Sequence, residues 1–196
     1  MNRMIKGMIA ISILASATLL AGCATKIKAT SETNPPPAEA FANFGHIVVK
    51  PAVFARHYKG NVAALGKINE NIQHDLAPSM LEWNKRPENG RTLVIEPIVE
   101  QLSFKSVTKR VFLGPMAGSS GVLMHLVIKD NEGRVIASPE FFQRAAAMSG
   151  GWTFGVQDNM MLTRVANLSS TYIRANFTEA VGGPTGADAP AIAVQQ

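Results

Sequence analysis

The chain has very little cysteine and histidine for its 196 residues. Cys23 is the only cysteine, which excludes an internal disulfide and a cysteine-based metal site, so the core alone must hold the folded part together. The four histidines, His46, His57, His74 and His125, show none of the short spacings of common metal motifs. We therefore predict no metal site and no cofactor, although distant histidines could still converge in the fold.

Charge and long apolar runs are also sparse. Charged residues make up 17% of the chain, and its net charge is +5. Two of the basic residues, Arg3 and Lys6, precede the apolar run 8–20; without them the net charge is +3. So mild an excess does not supply the concentrated basic patch that nucleic acid requires, and we predict no nucleic-acid partner. The apolar run is also shorter than the roughly 20 residues of a membrane-spanning helix.

The first residues instead have the three-part layout of a secretory signal, with basic residues, an apolar core and then small residues. Leu20-Ala21-Gly22-Cys23 resembles the lipobox of bacterial lipoproteins. The resemblance implies a signal peptide over 1–22, cleavage between Gly22 and Cys23, and a diacylglyceryl cysteine bearing palmitate-like chains that hold the protein on a membrane. Ala24, in place of aspartate, resembles the pattern of lipoproteins sorted to the outer membrane, where the domain would face the periplasm. The alternative is an ordinary secretory signal with a chance cysteine.

Two segments have too little apolar content to fold. Residues 23–43 are polar and small and include Pro35-Pro36-Pro37, which predicts a lipidated flexible linker. Residues 181–196 begin Val181-Gly182-Gly183-Pro184 and continue with alanine and proline, which predicts a disordered tail. The folded domain is then expected over 44–180, long enough for a single core.

Hydrophobic periodicity predicts an α+β domain. Strand patterns occur around 47–49, 92–104 and 122–129, and a tight turn at 130–133 predicts a hairpin with 135–137. Two amphipathic helices are expected, one through Leu65–Leu76, which ends or restarts at Pro78, and one over 156–177. We predict a small, mostly antiparallel sheet with both helices packed on one face. The other face should carry polar side chains, for which the candidates are Lys50, Glu96, His125 and Lys129.

A second resemblance extends over about 44–180. The strand 93–97, Arg110 before the glycine-rich loop that ends at Gly121, the hairpin 127–134 and the pair Gly150-Gly151 resemble a family of bacterial envelope lipoproteins without an assigned function. The resemblance implies a place and a fold but no mechanism. Pro115 and Met116 depart from the glycine-richer loop of that family.

The remaining motifs support no specific chemistry. The glycine-rich loop precedes a strand, whereas a nucleophile elbow or a phosphate loop leads into a helix. Lys105, Lys109 and Arg110 form a basic cluster that would contact anionic headgroups or be a solvated loop. Trp152 would belong to a partner-binding patch or to the core.

We therefore predict a non-enzymatic, lipid-anchored envelope protein whose periplasmic domain binds another envelope component. The alternative is a periplasmic enzyme or small-ligand carrier, with a site assembled from distant residues near His125 and Arg110. The sequence leaves the partner and the oligomeric state open.

Overall fold

The computed structural model of the protein describes residues 27–104, 120–145 and 154–189, without the side chains of 154–157. The described residues contain two α-helices, α1, Val62–Trp83, and α2, Phe154–Ala175, and a 3-10 turn, Phe41–Asn43. The strands are β1 Thr33–Asn34, β2 His46–Val49, β3 Val53–Phe54, β4 Thr92–Ser103, β5 Ser120–Asp130, β6 Val135–Ala137, β7 Glu140–Ala145 and β8 Gly183–Pro184.

The main sheet is built around the long antiparallel pair β4 and β5. On its outer side β4 pairs with β2 and β3, both in parallel, while β5 pairs with β6 and β7, both antiparallel. The parallel pairing follows from connectivity, because α1 carries the chain from β3 back to the start of β4, as a crossover between parallel strands requires. The predicted mostly antiparallel α+β sheet is confirmed, with this parallel edge added.

Both helices pack on one face of the sheet, as predicted. β4 alternates buried and half-buried residues along nearly its whole length, so Leu93, Ile95 and Val99 enter the core. α1 contributes Ile68, Ile72 and Leu76 at helical spacing. The fully buried large side chains are Phe41, Phe44, Ile47, Ile68, Leu76, Leu93, Ile95, Met124, Leu126, Ile128, Phe141 and Met161.

Helix α1 continues through Pro78 rather than ending there. A proline lacks the backbone N–H that would bond the carbonyl four residues earlier, so Pro78 removes the helical partner of the His74 carbonyl. The guanidinium of Arg174 in α2 donates to the carbonyl of the next residue, Asp75, at 2.9 Å. This bond joins the two helices one turn before the proline.

The domain extends beyond the predicted boundaries at 44 and 180. β1, inside the predicted linker, pairs with β8, inside the predicted tail, through the residue pairs Thr33–Pro184 and Asn34–Gly183. The backbone N–H of Ala38 also donates to the carbonyl of Ile136, at 2.9 Å. Residues 27–43 and 181–189 therefore belong to the folded unit, while the rest of the predicted linker and tail, 23–26 and 190–196, falls outside the described residues.

An ion-pair cluster holds the linker segment on the sheet. The guanidinium of Arg91 bonds both carboxylate oxygens of Glu39, at 2.6 and 2.9 Å, and Arg134 bonds the same carboxylate at 3.2 Å. The hydrogen bond from Arg91 holds the pKa of Glu39 below its ordinary value, since it favours the charged form. Residues near 39 are thereby attached to the start of β4 and to the β5–β6 turn.

Candidate interaction surfaces

The side of the sheet opposite the helices forms an exposed surface, which we call the free face. Its residues alternate with the core residues of the same strands, so register places them together. They are Val48, Lys50, Val53, Val94, Glu96, Ile98, Glu100, His125, Val127 and Lys129.

Glu96 lies at the centre of the free face between two lysines. Its Oε1 is 2.6 Å from Nζ of Lys50 and its Oε2 is 2.8 Å from Nζ of Lys129. The hydrogen bonds from Lys129 and then Lys50 hold the pKa of Glu96 below its ordinary value, because both stabilise the carboxylate. The prediction that Lys50, Glu96, Lys129 and His125 share the uncovered face is confirmed.

A second cluster surrounds Glu100, at a β-bulge of β4. The register of β4 against β5 shifts between Val99 and Gln101, so Glu100 is the extra residue. Its carboxylate is 3.0 Å from Nδ1 of His125 and 4.0 Å from Nε2 of His57. The fold thus brings together two histidines that are far apart in sequence, but the described residues contain no group of three ligands placed to hold a metal ion.

The free face therefore combines paired charges with β-branched residues. Val48, Val94, Ile98 and Val127 are half-buried, and each lies next to an ion-paired neighbour. Since its carboxylates already have basic partners, the face presents little unbalanced charge. Such a surface suits contact with another protein better than attraction to a polyanion or an anionic membrane.

Asparagine side chains cover individual backbone positions at two edges of the sheet. At the β2–β3 edge, Asn84 accepts from the N–H of Ile47 at 2.8 Å and donates to its carbonyl at 2.9 Å. Asn69 bonds the N–H and carbonyl of Ala52 in the same way, at 2.6 and 3.2 Å. Exposed edges pair readily with other strands, so these amides act as side-chain substitutes for a neighbouring strand.

The β7 edge has a similar arrangement. Asn34 accepts from the N–H of Glu140 and donates to its carbonyl, both at 2.8 Å. Further along β7, the N–H of Phe142 donates to the carbonyl of Thr185 at 2.8 Å. Asn34 and Thr185 thus occupy this edge, and a foreign strand has little access to it.

A groove of about 250 Å³ runs between α1 and the β2–β3 edge. Its lining residues are Val49, Lys50, Pro51, Asn69, Ile72, Gln73, Leu76, Ala77 and Met80. The aliphatic side chains and Met80 make its surface largely apolar, while Asn69, Gln73 and Lys50 contribute polar groups. The groove lies between the two edge residues that Asn84 and Asn69 cover.

Comparisons with known proteins show remote similarity in structure. No family model and no curated protein matches the chain. Two crystal structures of the PelC dodecamer from Paraburkholderia phytofirmans share 17% identity with it, cover 70% of this chain and 92% and 93% of their own, and give TM-scores of 0.42 and 0.41. A protein from Caulobacter crescentus CB15, provisionally described as a lipoprotein, shares 12% identity over 68% of this chain and 88% of its own, with a TM-score of 0.34. These values are too low to support an argument about function.

Several residues singled out in the sequence fall outside the described ranges. They are Gly22, Cys23, Lys105, Lys109, Arg110 and Trp152. The lipid site, the basic cluster and the aromatic patch therefore stay predictions. In the described ranges, no helix has the length and apolarity to span a bilayer.

Sequence reasoning missed the edge asparagines and Glu100. Asn69 lies on a helix whose apolar stripe gives no sign of a strand edge beside it, and Asn84 directly follows the last helical residue. A bulge also leaves no local pattern in β4. The one usable signal was Pro51, whose missing N–H indicates an edge position just after β2.

Proposed function

We propose that the protein is a lipid-anchored lipoprotein of the outer membrane, and that its periplasmic domain binds another envelope component without catalysing a reaction. The attachment follows from the lipobox resemblance ending at Cys23, and the outer-membrane location from Ala24. Because one acyl chain gives only marginal membrane binding, the diacylglyceryl group implied by that resemblance is the stable form.

The free face is the observation that carries the binding role. Both helices lie on the other side of the sheet, and the described residues place no further element over the centre of this face. Glu96 and Glu100 hold the basic side chains in a fixed pattern there. Fixed, charge-matched groups beside Val94 and Ile98 provide orientation together with apolar contact area.

The anchoring part is tested by the mass of the protein isolated from its own cells. We expect an N-terminal residue 23 that carries the diacylglyceryl group, and recovery with outer membranes. Cys23→Ser should abolish the added mass and release the protein from the membrane. An unmodified residue 23, or residues 1–22 still attached, would refute the anchor.

The binding part is tested by photocrosslinking in cells. A photoreactive amino acid at Ile98, on the free face, should give a discrete crosslinked product with a second envelope component, identified by mass spectrometry. The same group at Leu81, which is 68% exposed on α1 outside the free face, is the matched control. Equal products from both positions, or none from Ile98, would contradict the proposed surface.

A further inference from the structure

Within β2, one outward-facing peptide position receives no hydrogen bond from a described side chain. The N–H of His46 donates to the carbonyl of Arg91 at 3.3 Å, and that of Lys50 donates to Ile95 at 2.9 Å. Backbone groups alternate along a strand, so the N–H and C=O groups of residues 47 and 49 point away from β4. The side chain of Asn84 bonds both the outward N–H and the outward carbonyl of Ile47.

Val49 lacks such a partner. No hydrogen bond from the described side chains reaches its outward N–H or carbonyl, and the part of the chain that the structure describes places no strand beyond β2. Pro51, two residues on, has no N–H to offer. The uncovered stretch between the two covered residues, Ile47 and Ala52, is therefore centred on Val49.

The apolar groove opens beside this residue. Val49 lines it together with Ile72, Leu76 and Met80, and Asn69 and Gln73 add amides. We call the uncovered backbone of Val49 and this groove the notch. It therefore offers one hydrogen-bond donor, one acceptor and an apolar groove beside them.

An extended polypeptide matches this combination. A residue in β conformation presents its own carbonyl and N–H in one direction, so it can accept from and donate to a single opposing residue. Its neighbouring side chain then points toward one face, and an apolar side chain can enter the groove. A lipid chain would leave both backbone groups of Val49 unpaired, which disfavours it as the occupant.

We propose that the notch binds a short extended segment of a partner polypeptide, with one residue pairing with Val49 and an adjacent apolar side chain in the groove. The covered positions at Ile47 and Ala52 limit the pairing to this residue and fix its register. The inference rests on the proposed function for the existence of a polypeptide partner, and it adds the mode of recognition.

The test is NMR on ¹⁵N-labelled protein purified with its natural N-terminus in detergent micelles. The probe is an acetylated and amidated pentapeptide of alternating threonine and valine. We expect saturable shifts centred on the Val49 amide. A peptide N-methylated at its central residues should bind about tenfold more weakly or worse, because it loses the donor.

Two variants separate the groove from the rest of α1. Ala77→Trp fills the groove from an exposed helical position and should abolish binding, whereas Ala63→Trp, also exposed on α1 but outside the groove, should leave it unchanged. Equal binding of both peptides, unaltered binding by Ala77→Trp, or no change at Val49 would each overturn the proposal. If the peptide binds but position 98 gives no crosslink to an envelope component, the proposed notch is supported and the proposed function is refuted.

Discussion

Replacing Asn84 by alanine tests whether side-chain amides stabilise the sheet edge. The change removes two hydrogen bonds of 2.8 and 2.9 Å and leaves the N–H and carbonyl of Ile47 without partners, in a residue that is 1% exposed. Each unsatisfied buried group costs about 1–3 kcal/mol. Because removal of the amide lets water approach the freed groups and repay part of this cost, we expect a loss of about 2–3 kcal/mol. At about 2–4 °C per kcal/mol for a domain of this size, the melting temperature should fall by roughly 5–10 °C.

Urea denaturation gives the free energy of unfolding, and the slope m should stay constant if only stability changes. The matched control is Asn71→Ala on the same helix, since Asn71 bonds only the hydroxyl of Thr163, at 3.3 Å and near the surface. That variant should lie within about 0.5 kcal/mol of the parent. A loss for Asn84→Ala no larger than that of the control would refute the idea that these amides replace a neighbouring strand.

Three further predictions follow from pKa shifts and backbone geometry. Lys129 and Lys50 lower the pKa of Glu96, so its contribution to stability is present above pH 4.5 and is lost as the pH falls through the folded-state pKa. Glu96→Gln should therefore have a lower free energy of unfolding than the parent above pH 4.5, and urea denaturation over a range of pH should show this difference vanish in acid. Burial raises the pKa of Tyr172 to about 12, so stability should be lost as pH rises from about 10 to 12, and Tyr172→Phe should reduce that loss in the same measurement. Gly182 has a φ of +76°, and the backbone carbonyl oxygen of Asn34 lies 2.4 Å from where a Cβ would be. Gly182→Ala should therefore destabilise the fold by more than about 1 kcal/mol in thermal unfolding, and a smaller change would contradict this geometry.

Periodicity along the chain predicted what depends on neighbouring residues. The apolar positions of α1, such as Ile68 and Ile72, are buried where a helical stripe requires them. Glu96 and Lys129 lie on the free face because strict alternation along β4 and β5 leaves one side uncovered. These features are local consequences of a repeat of 3.6 or of 2, so a sequence displays them directly.

Features that depend on distant residues were not predictable in the same way. β1 has two residues and no strand pattern of its own; it forms because Thr33 meets Pro184. A composition argument therefore assigned it to a linker. For the same reason the sequence does not predict that His57 and His125 meet at Glu100, since the pairing of β4 with β5, a bulge and the loop after β3 set these distances.

The edge asparagines also bear on which surfaces remain available for binding. A two-layer domain has a helix-covered face, an open face and two sheet edges, and here Asn34 and Thr185 occupy the β7 edge. At the other edge, Asn84 and Asn69 cover the positions on both sides of Val49. A polar amide prevents strand pairing without adding apolar surface, so the edge resists association except where it is uncovered. The free face and the notch are thus two neighbouring parts of the described sheet that are open to a partner, and a partner using both would have to run across β2 from one to the other.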